Sequence, residues 1–156
     1  SPAMLERARE LLALDTVSTI PVTMNCSDIQ DVSIENASVV VLNFTLQFIP
    51  PEQRLSLIQH IHARLRPGGI LILSEKIAFS EPWRQHFHVK LHHDFKRANG
   101  YSDLEISQKR SALENVMIPE TIACHQERLQ VAGFSCSELW FQCFNLSPWS
   151  RSNEML

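Results

Sequence analysis

Basic, imidazole, amide and phenolic side chains are concentrated in residues 92–117. Lysine and arginine are rarely buried without partners, so these side chains must face water, pair with nearby carboxylates or line a pocket for an anion. Arg110 differs from its neighbours because it lies among aliphatic residues rather than in a block of charges. An arginine on a partly apolar surface is well suited to bind a carboxylate through two parallel hydrogen bonds. Arg110 is therefore our first candidate.

A solvated pair of helices is the alternative interpretation of residues 92–117. Most charge-rich helices are exposed to solvent and carry ion pairs between residues four apart. Asn99-Gly100 is a turn signal that interrupts the segment, and it argues against one continuous charged helix. The spacing of the residues does not decide between a solvated surface and an anion pocket.

The order of the predicted elements indicates an α/β protein built from βαβ units, with a parallel sheet covered by helices. Residues 37–44 form a β-branched run typical of a strand buried on both faces. Arg66-Pro67-Gly68-Gly69 predicts the end of a helix and an immediate strand. The elements predicted in the first half are a helix at 2–12, a strand at 20–25, a strand at 37–44, a helix at 51–65 and a strand at 70–74.

The second half predicts a helical insertion over the sheet edge, at about residues 80–118. A helix at 119–132, ended by Gly133, and a late strand at 137–144 follow it. We expect residues 1–146 to form one domain and residues 147–156 to be a loose tail. Pro148 cannot donate a backbone hydrogen bond, which argues against a central strand there.

Residues that follow the strands form a second set of candidates, because ligands of open α/β sheets bind outside the carboxyl ends of the strands. Asp28 beside Ile29 suits an adenine, with the carboxylate accepting from the exocyclic amine and the aliphatic group packing on the ring. Asn43 follows the next strand. The alternative for Asp28 is that it caps a turn, and the alternative for Asn43 is that its side chain hydrogen-bonds to backbone groups at a strand end.

Composition excludes several classes of function. The net charge of -3 gives no general electrostatic attraction to nucleic acid or to an anionic membrane. No apolar run approaches the length of a membrane span. The four cysteines show no zinc spacing and indicate free thiols in a reducing compartment. His88 and His92 are four residues apart, but they lack a carboxylate signature, so we expect no metal.

Several stretches together resemble the carboxy-S-adenosyl-L-methionine synthase family, a relative of the class I S-adenosylmethionine methyltransferases. The resemblance extends from Ser1 to about Asn145. The stretches that carry it are residues 40–48, 65–69, 73–76, 92–101, 104–117 and the late strand.

This resemblance implies a cytoplasmic, homodimeric transferase that uses S-adenosylmethionine and prephenate. Prephenate becomes phenylpyruvate, and the sulfonium methyl, deprotonated to an ylide, captures the one-carbon unit to give carboxy-S-adenosylmethionine. A separate enzyme then uses this product to build 5-oxyacetyl uridine at the tRNA wobble position, so no direct nucleic-acid contact is implied.

The resemblance also assigns candidate residues. Asp28 and Ile29 match the family's adenine contacts, Asn43 matches its contact at the end of the fourth strand, and Arg110 matches the arginine that binds the transferred carboxylate. From chemistry and proximity in sequence we add a group of substrate contacts, for which helix-surface pairing is the alternative. This group is Lys96, Arg97 and Tyr101.

Two departures from the family pattern matter. The glycine-rich cofactor loop and the acidic residue that binds the ribose would precede Ser1, so we expect an N-terminally truncated methyltransferase sheet that binds cofactor poorly by itself. Residues 147–151 replace the family's glycine-containing final strand. The rival functions are an ordinary S-adenosylmethionine-dependent methyltransferase, which would need no carboxylate clamp, and a non-catalytic fragment that acts as an interaction module.

Overall fold

The computed structural model describes residues 1–114 and 116–152, without the side chains of residues 114 and 147–152. The described chain divides into two compact units, one of residues 1–33 and one that begins at Ile34. Our expectation of one domain over residues 1–146 remains a prediction. No helix in the described part of the chain is long and apolar enough to cross a membrane.

The first unit contains helix α1, Pro2–Ala13, where the sequence predicts a helix. Its second element is a short 3-10 helix at Ile29–Asp31. The predicted strand at residues 20–25 is absent from the described residues, and that prediction is wrong. A strand requires a hydrogen-bonded neighbour. Ile20 and Val22 instead lie in irregular backbone and are 76% and 59% exposed.

The second unit is built on a βαβ unit that confirms the predicted parallel pairing. Strand β1, Ala37–Asn43, is followed by helix α2, Pro51–Arg64, and strand β2, Leu65–Lys76. β1 and β2 are parallel, and Asn43 is opposite Ser74 at their carboxyl ends. The two strand ends therefore form one edge.

The turn between α2 and the regular part of β2 depends on its glycines. Gly68 has a φ of +73°, and a Cβ on Gly69 would lie 2.9 Å from the backbone oxygens of Ala37 and Arg66. A larger residue at position 69 would therefore clash with backbone. The pairing shifts register here, and the predicted stop signal lies inside the assigned strand.

The two faces of this strand pair differ in burial. Leu42 and its partner Leu73 are 4% and 1% exposed, on the same face as buried Leu71. On the opposite face Val39 and Val41 are 51% and 56% exposed. Our prediction that β1 is buried on both faces is therefore wrong. β1 has a described neighbour on one side, and the described chain covers only one of its faces.

Three further helices follow β2. The predicted helical insertion corresponds to α3, Pro82–Ala98, and α4, Asp103–Glu114, which contact each other. Helix α5, Ile122–Val131, packs against α2 and begins at Thr121, whose side chain accepts from the backbone of Cys124. The sequence predicted this helix and its end at Gly133, whose φ is +104°.

The end of the chain differs from our expectation. The late strand predicted at 137–144 is reduced to β3, Glu138–Leu139, and β4, Leu146–Ser152, occupies residues that we expected to be loose. The sheet order is β1-β2-β4-β3, with β4 antiparallel to both neighbours. Pro148 is tolerated because β3 pairs only with residues 149 and 150, so β4 has a neighbour on one side at the proline. Residues 153–156 of the expected tail lie outside the described residues.

A buried ion pair joins α2 to the segment before α5. Arg54 is 0% exposed and donates to the carboxylate of Glu120 and to the backbone oxygens of Ile49 and Ile118. Arg128 donates to the second carboxylate oxygen of Glu120. Burial would raise the pKa of Glu120, but the two guanidinium groups outweigh it and lower that pKa. Two guanidinium groups thus share one carboxylate, and the buried charge of Arg54 is paired inside the protein.

Candidate functional site

The loop after β1 is held by a carboxylate at the end of β2. Glu75 is fully buried and accepts from the backbone N–H groups of Thr45, Leu46 and Gln47 at 2.8–3.1 Å. Burial raises the pKa of Glu75, and the three N–H donors oppose that shift. The loop that begins at exposed Asn43 is thus fixed to the second strand of the edge.

Phe44 contributes a second constraint to this loop. It has a φ of 51°, in the left-handed region, and its N–H donates to the oxygen of Ser74 at 2.7 Å. A non-glycine residue in this region carries strain that the surroundings must stabilise. The strain directly follows Asn43, where we predicted a ligand contact.

Positively charged side chains gather near the end of β2. Burial first, and then Lys96, Lys76, His93 and Lys109, lower the pKa of His92 to about 4. The pKa of His93 is lowered by burial and by neighbouring cations, including Arg110. We call this group the basic cluster: Lys76, His92, His93, Lys96, Lys109 and Arg110.

The turn between β3 and β4 also reaches the basic cluster. The ring of Phe144 stacks on His92 with centroids 6.0 Å apart and lies 5.4 Å from that of Phe95. Leu146, the first residue of β4, pairs with Lys76, the last residue of β2. The cluster is therefore bordered by an aromatic surface and by the ends of two strands.

Among the proposed substrate contacts, Arg97 differs from Lys96. Arg97 donates to Asp94 at 2.7 Å and to Asp103 at 2.8 Å, so it makes the helix-surface pairs of our alternative interpretation. Lys96 is half-buried, and burial and Lys109 lower its pKa. Tyr101 is 48% exposed. The roles of these three residues remain predictions.

Asp28 and Ile29 belong to the first unit. Asp28 is exposed and caps the 3-10 helix by accepting from the N–H of Gln30 at 3.0 Å, and Ile29 is half-buried. The capping role that we weighed for Asp28 is therefore present. A carboxylate has further acceptor sites, so this role leaves the adenine contact as a prediction.

The predicted arginine clamp is on α4. Arg110 is exposed and is among the cations that lower the pKa of His93. The structure thus brings Arg110 and Lys96 to one cluster, although the carboxylate-binding role of Arg110 stays a prediction.

Sequence reasoning missed two residues of this region. Glu75 was not among our candidates, although an acidic residue near the end of a strand can hold the neighbouring loop. Asn145 is 1% exposed, and its carbonyl accepts from the N–H of Ile77 just after β2. It gave no signal in the sequence, because its burial depends on a strand that we did not predict. His88 stacks on Phe79 at 4.3 Å, and in the described chain no three His, Cys, Asp or Glu residues are arranged to hold a metal.

Comparison with known sequences identifies the family. A sequence model described as a methyltransferase domain matches residues 1–69. A carboxy-S-adenosyl-L-methionine synthase from a Geobacter species is 83% identical over 147 residues, which are 94% of this chain and 60% of that protein. The enzyme of the same name from Marinobacter nauticus is 57% identical over 93% of this chain and 58% of its own length.

Solved structures agree on the fold. The S-adenosylmethionine-dependent methyltransferase SibL in its apo form aligns with a TM-score of 0.62 at 19% identity, over 99% of this chain and 42% of that one. Human N-acetylserotonin methyltransferase in complex with S-adenosylmethionine aligns with a TM-score of 0.58 at 14% identity, over 93% and 38%. The fold is therefore that of the class I methyltransferases. This chain belongs to the carboxy-S-adenosyl-L-methionine synthase family and spans about 60% of the length of the relatives it matches.

Proposed function

We propose that this protein converts S-adenosylmethionine and prephenate to carboxy-S-adenosylmethionine and phenylpyruvate, in the cytoplasm and as a homodimer. The product would serve the 5-oxyacetic acid modification of the tRNA wobble uridine. The observation that carries the proposal is the basic cluster at the strand ends. It lies in a chain that is 83% identical to a protein named carboxy-S-adenosyl-L-methionine synthase.

The chemistry of the reaction calls for such a cluster. Prephenate carries two carboxylates, and it loses one of them together with its ring hydroxyl as phenylpyruvate forms. The sulfonium methyl loses a proton to become an ylide, which forms a new carbon–carbon bond to the released one-carbon unit. The lost hydroxyl and the methyl proton together account for one water. Substrate and product thus both present carboxylates, which lysine and arginine bind.

Within this proposal each candidate residue has a separate role. Arg110 binds the carboxylate added to the sulfonium methyl, while Asn43, Asp28 and Ile29 contact the cofactor. The remaining contacts, from Lys96, Arg97 and Tyr101, are to prephenate. A homodimer would cover exposed apolar side chains of the helical insertion, such as Trp83, which is 70% exposed.

Calorimetric titration of the chain with carboxy-S-adenosylmethionine and with S-adenosylmethionine tests the clamp. We expect tighter binding of the carboxylated ligand. Arg110→Ala should weaken the binding of that ligand by about tenfold or more, which is the effect of losing a charge-assisted hydrogen-bonded pair. Arg110→Lys should recover part of the loss, because it retains the charge without the paired geometry. The matched control is Arg64→Ala, at an exposed arginine that ends α2.

The outcomes separate the rival functions. Equal affinity for the two ligands, unchanged in Arg110→Ala, would indicate an ordinary methyltransferase without a carboxylate clamp. No heat with either ligand, from a chain shown to be folded, would support the non-catalytic interaction module.

A further inference from the structure

A half-exposed aromatic ring lies beside the basic cluster. Phe95 is 53% exposed, and its ring contacts that of Phe144 at a centroid distance of 5.4 Å and an angle of 48°. Residues three and four apart share one face of a helix, so His92 lies on the same face of α3 as both Phe95 and Lys96. That face of α3 therefore carries an accessible apolar ring together with members of the basic cluster.

The turn that carries Phe144 holds its ring against this face. Cys143 and Leu146 exchange two backbone hydrogen bonds of 2.8 and 2.9 Å. Phe144, between them, has a φ of 54°, in the left-handed region that bulky residues rarely adopt. A residue persists in this conformation only where the surrounding structure fixes it. The ring of Phe144, which lies within 15° of parallel to that of His92, is thus a fixed support for Phe95.

The position of Phe95 distinguishes it from the other exposed aromatic residues of α3. Trp83 and Phe87 are 70% and 51% exposed, but both precede every residue of the basic cluster that this helix carries. Phe95 directly precedes Lys96 in the sequence. A cluster of cations favours an anion, and an exposed ring beside it favours an apolar group on the same ligand. The surface therefore suits a carboxylate that carries a ring.

We propose that Phe95, supported by Phe144, is a further specificity-determining residue, whose exposed ring packs against the six-membered ring of the anionic substrate. This inference rests on the proposed function, in which prephenate and phenylpyruvate each carry such a ring beside a carboxylate. Lysine and arginine bind the carboxylate of any acid, so they do not distinguish these ligands from a small keto acid such as pyruvate. The ring of Phe95 supplies that distinction through the burial of apolar surface.

Titration with phenylpyruvate and with pyruvate, followed by nuclear magnetic resonance, tests this role because the two keto acids differ only in the phenyl ring. We expect the unsubstituted chain to bind phenylpyruvate about tenfold more tightly than pyruvate. Phe95→Ala should reduce that preference to about twofold or less and leave the affinity for pyruvate unchanged. Phe95→Tyr keeps the ring and should retain the preference. The matched control is Phe87→Ala, at an equally exposed ring about 12 Å earlier on α3, and it should change neither affinity.

Several outcomes would overturn the assignment. These are a preference that survives in Phe95→Ala, an equal loss of affinity for both acids in a folded variant, and a dimer that Phe95→Ala dissociates in size-exclusion chromatography. The last of these would place Phe95 between two copies of the chain. If Phe95→Ala lowers the melting temperature, Phe95→Met keeps an apolar side chain beside Phe144 without the flat ring, and it should also reduce the preference. An unsubstituted chain that binds neither prephenate nor phenylpyruvate would overturn the proposed function together with this assignment.

Discussion

Two groups of charges in this protein are arranged in opposite ways. Around Glu120, the guanidinium groups of Arg54 and Arg128 share one carboxylate, and Arg54 is fully buried. Around His92, the charges that shift its pKa are all positive. A carboxylate held between two guanidinium groups stabilises the folded chain itself, whereas cations that lower the pKa of a neighbouring histidine favour the binding of an anion. The comparison separates a structural charge cluster from a candidate ligand site.

Glu120→Ala should have the largest effect on stability. The substitution leaves the buried guanidinium of Arg54 without its carboxylate, and we expect a loss of about 3–5 kcal/mol in the free energy of unfolding. Urea denaturation at neutral pH measures it. Glu127→Ala, at an exposed glutamate of α5, is the matched control and should change stability by less than about 0.5 kcal/mol. A loss below about 1 kcal/mol for Glu120→Ala would contradict a structural role.

His125 should make the region of the Glu120 network sensitive to acid. Burial first, and then Arg128, lower its pKa from 6.5 to about 4. The folded state therefore binds fewer protons than the unfolded state. The stability that depends on a neutral His125 is complete above pH 6.5 and decreases as the pH falls toward 4. The contribution is of the order of 3 kcal/mol.

Urea denaturation from pH 7 to pH 4 should show a shallower loss of stability for His125→Met than for the unsubstituted chain. His60→Met, at an exposed histidine of α2, is the control. Parallel pH profiles for the unsubstituted chain and His125→Met would show that His125 does not remain neutral in the fold.

The smallest effect on stability is expected in the basic cluster. Lys96→Met removes one like charge, so the melting temperature should stay constant or rise, and the pKa of His92 should move up toward its ordinary value. Prephenate should bind about fivefold more weakly, as expected for the loss of one charged contact. Arg97→Met is the comparison. Asp94 and Asp103 already engage Arg97, so its proposed contact with prephenate is the weaker of the two, and its loss should weaken binding by less than about twofold.

Calorimetry measures these affinities, and nuclear magnetic resonance titration of the His92 ring measures its pKa. A larger binding loss for Arg97→Met than for Lys96→Met would reverse this ranking of the two contacts.

The parts of the fold that could be predicted carry their own signals. Helix α2 combines a proline at its start with a regular apolar spacing, and Gly68-Gly69 shape the turn that follows its end at Arg64. The prediction of a strand at residues 20–25 was wrong because alternating side chains indicate a single strand but not the neighbouring strand with which it must pair. β4 was missed because the effect of Pro148 depends on how far β3 extends.

The positions of the candidate residues were predictable to a similar degree. The rule that ligands bind at carboxyl ends of strands selected Asn43, and the charge density of residues 92–117 indicated the cluster. The pairing of Arg97 with Asp103 depends on the turn between α3 and α4, which sequence spacing does not define. The burial of Asn145 depends on long-range strand pairing in the same way.

The carboxylate of Glu75 has a consequence for motion at the strand edge. Because one buried side chain accepts from Thr45, Leu46 and Gln47, those amide protons are protected by the core although they lie at the start of a short 3-10 helix, Leu46–Phe48, in the connection after β1. They should exchange with deuterium at rates set by opening of the sheet rather than by local loop fluctuation. The segment beside Asn43 would then meet a ligand as a preformed surface, with little ordering entropy to lose on binding.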